Sequence, residues 1–173
     1  SVLSPLATEH VAGLLRSLAT MHAKFWNSKR FAENGDLAWL PTPRRGGMHF
    51  VFSTIGHGLI RDHVNSHKFE RDLLAPLDLT IDQLWEGCER ASVALCEPPV
   101  TLCHGDAHVQ NTFQMEGGQL GLLDWQLTLV SSWARDVSYI LGTSLMPEQR
   151  RESERALLAT YLQELRTQLP SCV

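Results

Sequence analysis

Apolar residues recur at three-to-four spacing along the first part of the chain. Leu6, Val11, Leu14, Leu15, Leu18, Met21 and Phe25 fall on one stripe, with His22 among them. That period predicts an amphipathic helix over residues 5 to 26. It weakens from Asn27 to about Pro76, where Gly35, Pro41, Pro43, Gly46, Gly47, Gly56 and Gly58 punctuate the chain. Short helices and ordered loops are expected there, with Gly56-His57-Gly58 as a turn. Such a stretch in a compact domain is more often functional surface than linker. Thr80 is placed to cap a second periodic run to about Cys96, with Ile81, Leu84, Trp85, Cys88, Ala91 and Leu95 turned inward. Pro98-Pro99 ends it, and Val100 to Cys103 forms a short apolar run. Residues 112 to 125 then read as a β-hairpin, its arms Thr112–Met115 and Gln119–Leu123 joined across Glu116-Gly117-Gly118. Two helices close the chain, at 132 to 145 and at 147 to 168, the second opened by Pro147. The fold class is α+β, mostly α-helical, with a small β-hairpin. Trp26, Trp85 and Trp125 are expected in the core, while Trp39 and Trp133 lie near loop residues that could border a pocket.

A length of 173 residues suits one compact domain, 1–173. A hydrophobic content of 43% with 20% charged residues is that of an ordinary globular protein. The net charge of -4, the pI near 6.0 and a total of three lysines (Lys24, Lys29, Lys68) argue against a nucleic-acid surface. Cys88, Cys96, Cys103 and Cys172 form no CxxC pair, so free thiols in a reducing cytosol are expected. No apolar run approaches the ~20 residues of a membrane span. The N-terminal residues lack a signal-peptide layout, and a cytoplasmic location follows as the expectation.

The polar residues of greatest chemical interest lie between 104 and 124. His104-Gly105-Asp106-Ala107-His108-Val109-Gln110-Asn111 follows the short apolar run, and Asp124-Trp125 ends the hairpin. A hairpin can fold Asp124 back over the loop, bringing its carboxylate and the Asn111 amide to one point. Magnesium takes hard oxygen ligands and keeps waters and phosphates in its shell, so two protein ligands suffice. Asp106, on the same loop, could face a hydroxyl and deprotonate it. These are the parts of one half of a phosphoryl-transfer site, where catalysis is mostly positioning and charge neutralisation.

The pattern His-Gly-Asp-x-x-x-x-Asn followed by Asp-Trp resembles the catalytic loop and metal site of the aminoglycoside phosphotransferase and choline kinase-like families, which share the protein-kinase-like fold. Leu18-Ala-Thr-Met-His-Ala-Lys-Phe-Trp26, Leu122-Leu-Asp-Trp-Gln126 and Arg135-Asp-Val-Ser-Tyr-Ile-Leu141 are similar to the ecdysteroid kinase-like branch and its bacterial relatives. The resemblance covers residues 5 to 168 and corresponds to the C-terminal lobe. It implies an ATP-dependent small-molecule phosphotransferase using Mg2+, with Asp106 as catalytic base and Asn111 and Asp124 as ligands of the nucleotide-bound magnesium. It further implies that His104 braces the loop, that His108 supports it and that Asp136 anchors it. Val109 and Gln110 depart from the family, where a proline or small residue is frequent. Residues 100–126 would form the catalytic loop and metal-binding hairpin, and 30–75 an acceptor-site insertion. Arg30, Arg44, Arg45 and Arg61 in that insertion lean away from a polycationic acceptor.

The family's N-terminal lobe, with its phosphate-covering hairpin and lysine, has no counterpart in these residues. The chain is therefore expected to be a fragment of a longer protein or a shortened relative, with feeble activity alone. An apolar lobe-docking face, and self-association through it, would follow. Three other readings stay open. The chain could be a non-catalytic binding or interaction lobe. His104, Asp106 and His108 could instead hold zinc or iron in a metal-dependent hydrolase. Asp136 could be only a charge favourable to a helix N-terminus.

Overall fold

The computed structural model describes residues 6–116 and 120–169. Its core is a three-helix package. Helix α1 (Thr8–Lys24) buries Val11, Leu14, Leu15, Leu18, Ala19 and His22, the stripe read from its period. The long α7 (Pro147–Gln168) lies along it, burying Leu157, Tyr161 and Leu165. Helix α6 (Ala134–Ser144) adds Val137 and Ile140 to the same cluster. Each fully buried Leu or Ile contributes about 1.5–3 kcal/mol, so the three helices are stable as a package and not by propensity alone. Trp26 and Trp133 pack on its rim, Trp133 stacking on Tyr161 at 5.0 Å between ring centroids.

Among the described residues, four three-residue strands form two small antiparallel sheets. Strand β1 (Thr101–Cys103) pairs with β4 (Leu129–Ser131), Leu102 opposite Val130. Strand β4 was not anticipated, because three residues carry too little alternation to announce a strand. The expected hairpin is present as β2 (Thr112–Gln114) and β3 (Leu120–Leu122), with Phe113 opposite Gly121. A Cβ on Gly121 would stand 2.5 Å from the Phe113 ring, so glycine lets the ring cross the ribbon. Gly117, Gly118 and Gln119, placed by the sequence in the turn and the head of the second arm, lie outside the described residues.

A second helical region precedes β1. Helix α2 (Gly47–Val51) runs through a π-helical stretch (Phe52–Gly56) into α3 (His57–Ser66), followed by α4 (Lys68–Leu74) and α5 (Ile81–Ala94). Gly56-His57-Gly58 is thus inside a helical run and not a turn. Gly56 has ordinary helical dihedrals (φ -60°, ψ -43°), and a helix tolerates isolated glycines at modest cost. Thr80 caps α5 as expected, in a full capping box. Its Oγ1 accepts the Gln83 N–H at 3.1 Å, and its own N–H donates to Gln83 Oε1 at 2.8 Å. The expected inward face of α5 is not buried. No residue of α5 is fully buried, and Cys88 and Ala91 are exposed. Its partner α3 has no buried residue either, so the pair adds no buried residues to the core. No described helix is long and apolar enough to cross a membrane.

Candidate active site

The end of α1 positions the entry to the loop. Asn27, at φ 47°, accepts the Val100 N–H on its Oδ1 at 2.9 Å and donates its own N–H to the Val100 carbonyl at 2.8 Å. Thr101 Oγ1 donates to the His22 carbonyl at 2.7 Å. Strand β1 is thereby fastened to α1 before residues 104–111 begin.

Those residues are gripped by one buried carboxylate. Asp136, in the first turn of α6 and fully buried, accepts the His104 N–H on Oδ2 at 2.7 Å and the Gly105 N–H on Oδ1 at 2.9 Å. His22 Nε2 lies 3.3 Å from the same Oδ2, and His22 Nδ1 lies 2.7 Å from the Tyr161 hydroxyl. Burial pushes the Tyr161 phenol well above its usual value, and nearby Cys103 and Asp136 add to the shift. The Asp136 carboxylate can only accept, so Nε2 carries the proton that faces it, and Nδ1 accepts from the Tyr161 hydroxyl, which stays protonated. A buried charge costs several kcal/mol unless hydrogen-bonded. Here three donors compensate it, drawn from the loop and from α1, with α7 behind.

His104 joins this loop to the hairpin. Its Nδ1 accepts the Asp106 N–H at 3.3 Å, and its Nε2 donates to the Leu123 carbonyl at 2.9 Å. Trp125 meets the same ring edge-on at 4.5 Å and is 44% exposed, so it covers His104 and is not the core residue expected from the sequence. At the turn just past β3 its Nε1–H donates to the Leu122 carbonyl at 3.3 Å while much of the ring stays in solvent. Gly105 has φ 86°, and a Cβ there would come within 2.1 Å of the Leu127 carbonyl. Only glycine lets the backbone pass that close.

Asp106 emerges partly exposed from this frame. Asn111 donates from Nδ2 to Asp106 Oδ2 and to the Asp106 carbonyl, both at 3.0 Å. His108 Nε2 lies 3.5 Å from Oδ2. Tyr139, absent from the sequence-based set, completes the surround. Burial raises its phenol first, and the Asp106 carboxylate beside it raises it further. Its ring meets His108 at 6.1 Å, edge to face. The available signal was its place three residues after Asp136, one helical turn along α6.

Asn111 and Asp124 are linked through the backbone, since the Leu123 N–H donates to the Asn111 carbonyl at 2.9 Å. Asp124 follows immediately, exposed and in the left-handed conformation (φ 63°), with Oδ2 accepting from Gln126 at 3.2 Å. Asn111 Nδ2 is committed to Asp106, which leaves Oδ1 as the atom able to face a cation. An amide oxygen and a carboxylate are the hard donors magnesium takes, so this pair fits that ion.

The histidines offer a different picture. Both ring nitrogens of His104 are engaged, so it has none for a metal. Two groups of described residues are close enough to share an ion: His22, Cys103 and Asp136, and separately His63, His67 and Glu70. In the first, burial and then Asp136 push the Cys103 thiol well above its usual value, and its Sγ lies 3.4 Å from the Ser132 carbonyl. With Asp136 and His22 committed as above, that trio is a hydrogen-bonded network and not a metal site.

No curated protein matches the chain significantly. The model of the ecdysteroid kinase-like family matches residues 2–172, nearly the whole sequence, and the chain belongs to that family.

Proposed function

We propose that these residues form the catalytic half of a phosphotransferase that moves the γ-phosphoryl group of ATP to a hydroxyl on a small molecule. The family carries kinase-like phosphotransferase character, and kinase-like proteins generally use ATP and Mg2+. The observation that carries the finer reading is the Asp106–Asn111 pair, framed by a loop whose two leading N–H groups are pinned by buried Asp136. One oxygen of Asp106 is held by Asn111 at 3.0 Å. The other is left to accept the acceptor's proton as its oxygen attacks the γ-phosphorus and the bond to the β-phosphate oxygen breaks, releasing ADP. Asn111 Oδ1 and Asp124 would hold a magnesium ion on the nucleotide, which neutralises phosphate charge there. His104 and Asp136 fix the loop so that Asp106 need not reorganise at the moment of transfer. His108 and Tyr139 flank the base on the acceptor side. Residues 30–75 and the last two helices would supply the acceptor pocket.

Lys24, Lys29 and Lys68 all lie outside the 100–126 segment, and Lys68 is paired with Asp72 at 2.5 Å. That segment supplies no phosphate-gripping lysine, and the 173 residues are expected to bind Mg·ATP but turn it over feebly. Calorimetry with ATP, in magnesium and then in EDTA, tests the reading. Binding should require magnesium and weaken at least about tenfold in Asp124→Ala, the lower end of the range for disturbing a metal site. Nucleotide binding indifferent to magnesium and to Asp124 would overturn it. Magnesium-dependent binding in a longer form that still transfers no phosphoryl group would favour a non-catalytic lobe. A hydrolase built on His104 has the engaged imidazole against it.

A further inference from the structure

We propose that His63, His67 and Glu70 form a binding site for a divalent first-row transition metal, with zinc as its representative, at the junction of α3 and α4. The three side chains offer ligand atoms that all lie within 4.8 Å of one another. They converge because His67 (φ -116°, ψ 118°) is the single extended residue between two helices. The break turns α4 back toward the last turn of α3, so Glu70 in the first turn of α4 reaches His63, with Oε1 3.4 Å from Nε2. The two imidazoles stack, 4.1 Å between centroids with an interplanar angle of 27°.

One detail distinguishes this group from an ordinary surface ion pair. His67 Nδ1 donates to the His63 carbonyl at 2.7 Å. That bond fixes the tautomer, leaving Nε2 unprotonated as a ligand atom. An Nδ1–H to a backbone carbonyl is the arrangement by which metal-binding histidines are oriented. Two imidazole nitrogens and one carboxylate oxygen match the preference of zinc and its neighbours, with remaining positions open to water. The neighbouring cations are occupied elsewhere: Lys68 pairs with Asp72, and the Arg71 guanidinium donates to the Asn65 carbonyl. His63 is 57% and Glu70 33% exposed, so both can reorient onto an ion without disturbing the core. Bound metal would staple α3 to α4. The site lies outside the 100–126 segment and does not depend on the proposed phosphotransfer.

Titration of the full chain with Zn2+ against a chromophoric indicator tests this, with Co2+ as a spectroscopic substitute. Saturable one-to-one binding is expected, together with a higher thermal midpoint in Zn2+. Both should be lost by at least about tenfold in affinity in H63A/H67A, and weakened in E70Q. The bound Co2+ should show ligand-field bands of nitrogen and oxygen donors without thiolate charge transfer. Affinity unchanged in the double variant, thiolate bands indicating Cys88 or Cys96 as ligands, or no saturable binding would each overturn the proposal. Because these side chains are exposed, the variants should fold, which circular dichroism checks.

Discussion

The half that holds residues 101–111 and the α2–α5 half of this molecule spend their polar and apolar residues in opposite ways. Around residues 101–111 the loop's own buried polar groups and their anchors are answered: Asp136 by two backbone N–H groups and His22, His22 by Tyr161, and His104 by Asp106 and Leu123, while on α6 Arg135 Nε and the Ser144 hydroxyl are buried without a partner. Across α2–α5 the large apolar groups stay in the open, among them Phe50, Leu59, Phe69 and Leu73, each at least 60% exposed. The first arrangement holds one geometry, because any shift leaves a buried donor or charge unpaired. The second has little to hold it to one geometry and much surface to offer a ligand or another chain. Precision is concentrated where the chemistry is proposed, and adaptability where an acceptor would enter.

The sharpest way to break this contrast is at the proposed base. Wherever phosphotransfer to a hydroxyl acceptor is measurable, Asp106→Asn should lower kcat by about 10²–10⁴-fold with nucleotide binding retained. A variant that keeps most of its rate would remove Asp106 from the chemistry. Next comes the anchor. Asp136→Ala strands two loop N–H groups and His22, and should cost about 3–5 kcal/mol in denaturant unfolding. A loss within ~0.5 kcal/mol would mean that Asp136 serves only the helix dipole.

The same buried network predicts a response to alkali. Burial first, and Asp136 among the neighbouring charges, raises both Cys103 and Tyr161 in the folded protein. The unfolded chain releases these protons near the ordinary values of 9.0 and 10.0, while the folded protein keeps them. The folded state thus binds more protons, and stability must fall as pH rises above about 9, by up to ~1.4 kcal/mol per pH unit for each group. Denaturation midpoints followed from about pH 8 to about pH 11 measure the slope, and Tyr161→Phe should reduce it. At neutral pH Tyr161→Phe leaves His22 Nδ1 without its donor, for a loss of about 1–3 kcal/mol in unfolding free energy. The smallest effect is expected on the other side of the comparison. Phe69→Ser should change stability by no more than about 0.5 kcal/mol. A cost of several kcal/mol there would show that the region is held together more tightly than its exposure implies.

Periodicity marked α1 and, together with the Thr80 cap, α5 to within a few residues, because each repeats its apolar face often enough to be read; the last two helices fall within a few residues of their expected bounds, α7 opened by Pro147. The Thr80 capping box and the hairpin arms were legible for the same local reason: their signals lie within a few residues of one another. Spacing also made Asp106, Asn111 and Asp124 candidates for one chemistry, and the fold sets Asn111 against Asp106 and one backbone bond from the residue before Asp124. Other features depended on partners remote in sequence. Strand β4 exists through its pairing with β1, Tyr139 matters through its approach to Asp106, and Asp136 acts through bonds to residues more than thirty positions away. Whether an apolar stripe becomes a core was likewise decided in three dimensions. α1 met α7 and was buried, whereas α5 packs chiefly on α3, which is itself without a buried residue, and kept its face half open. Local geometry is written in neighbouring residues, but burial and hydrogen-bond satisfaction depend on which surfaces the folded chain brings opposite one another.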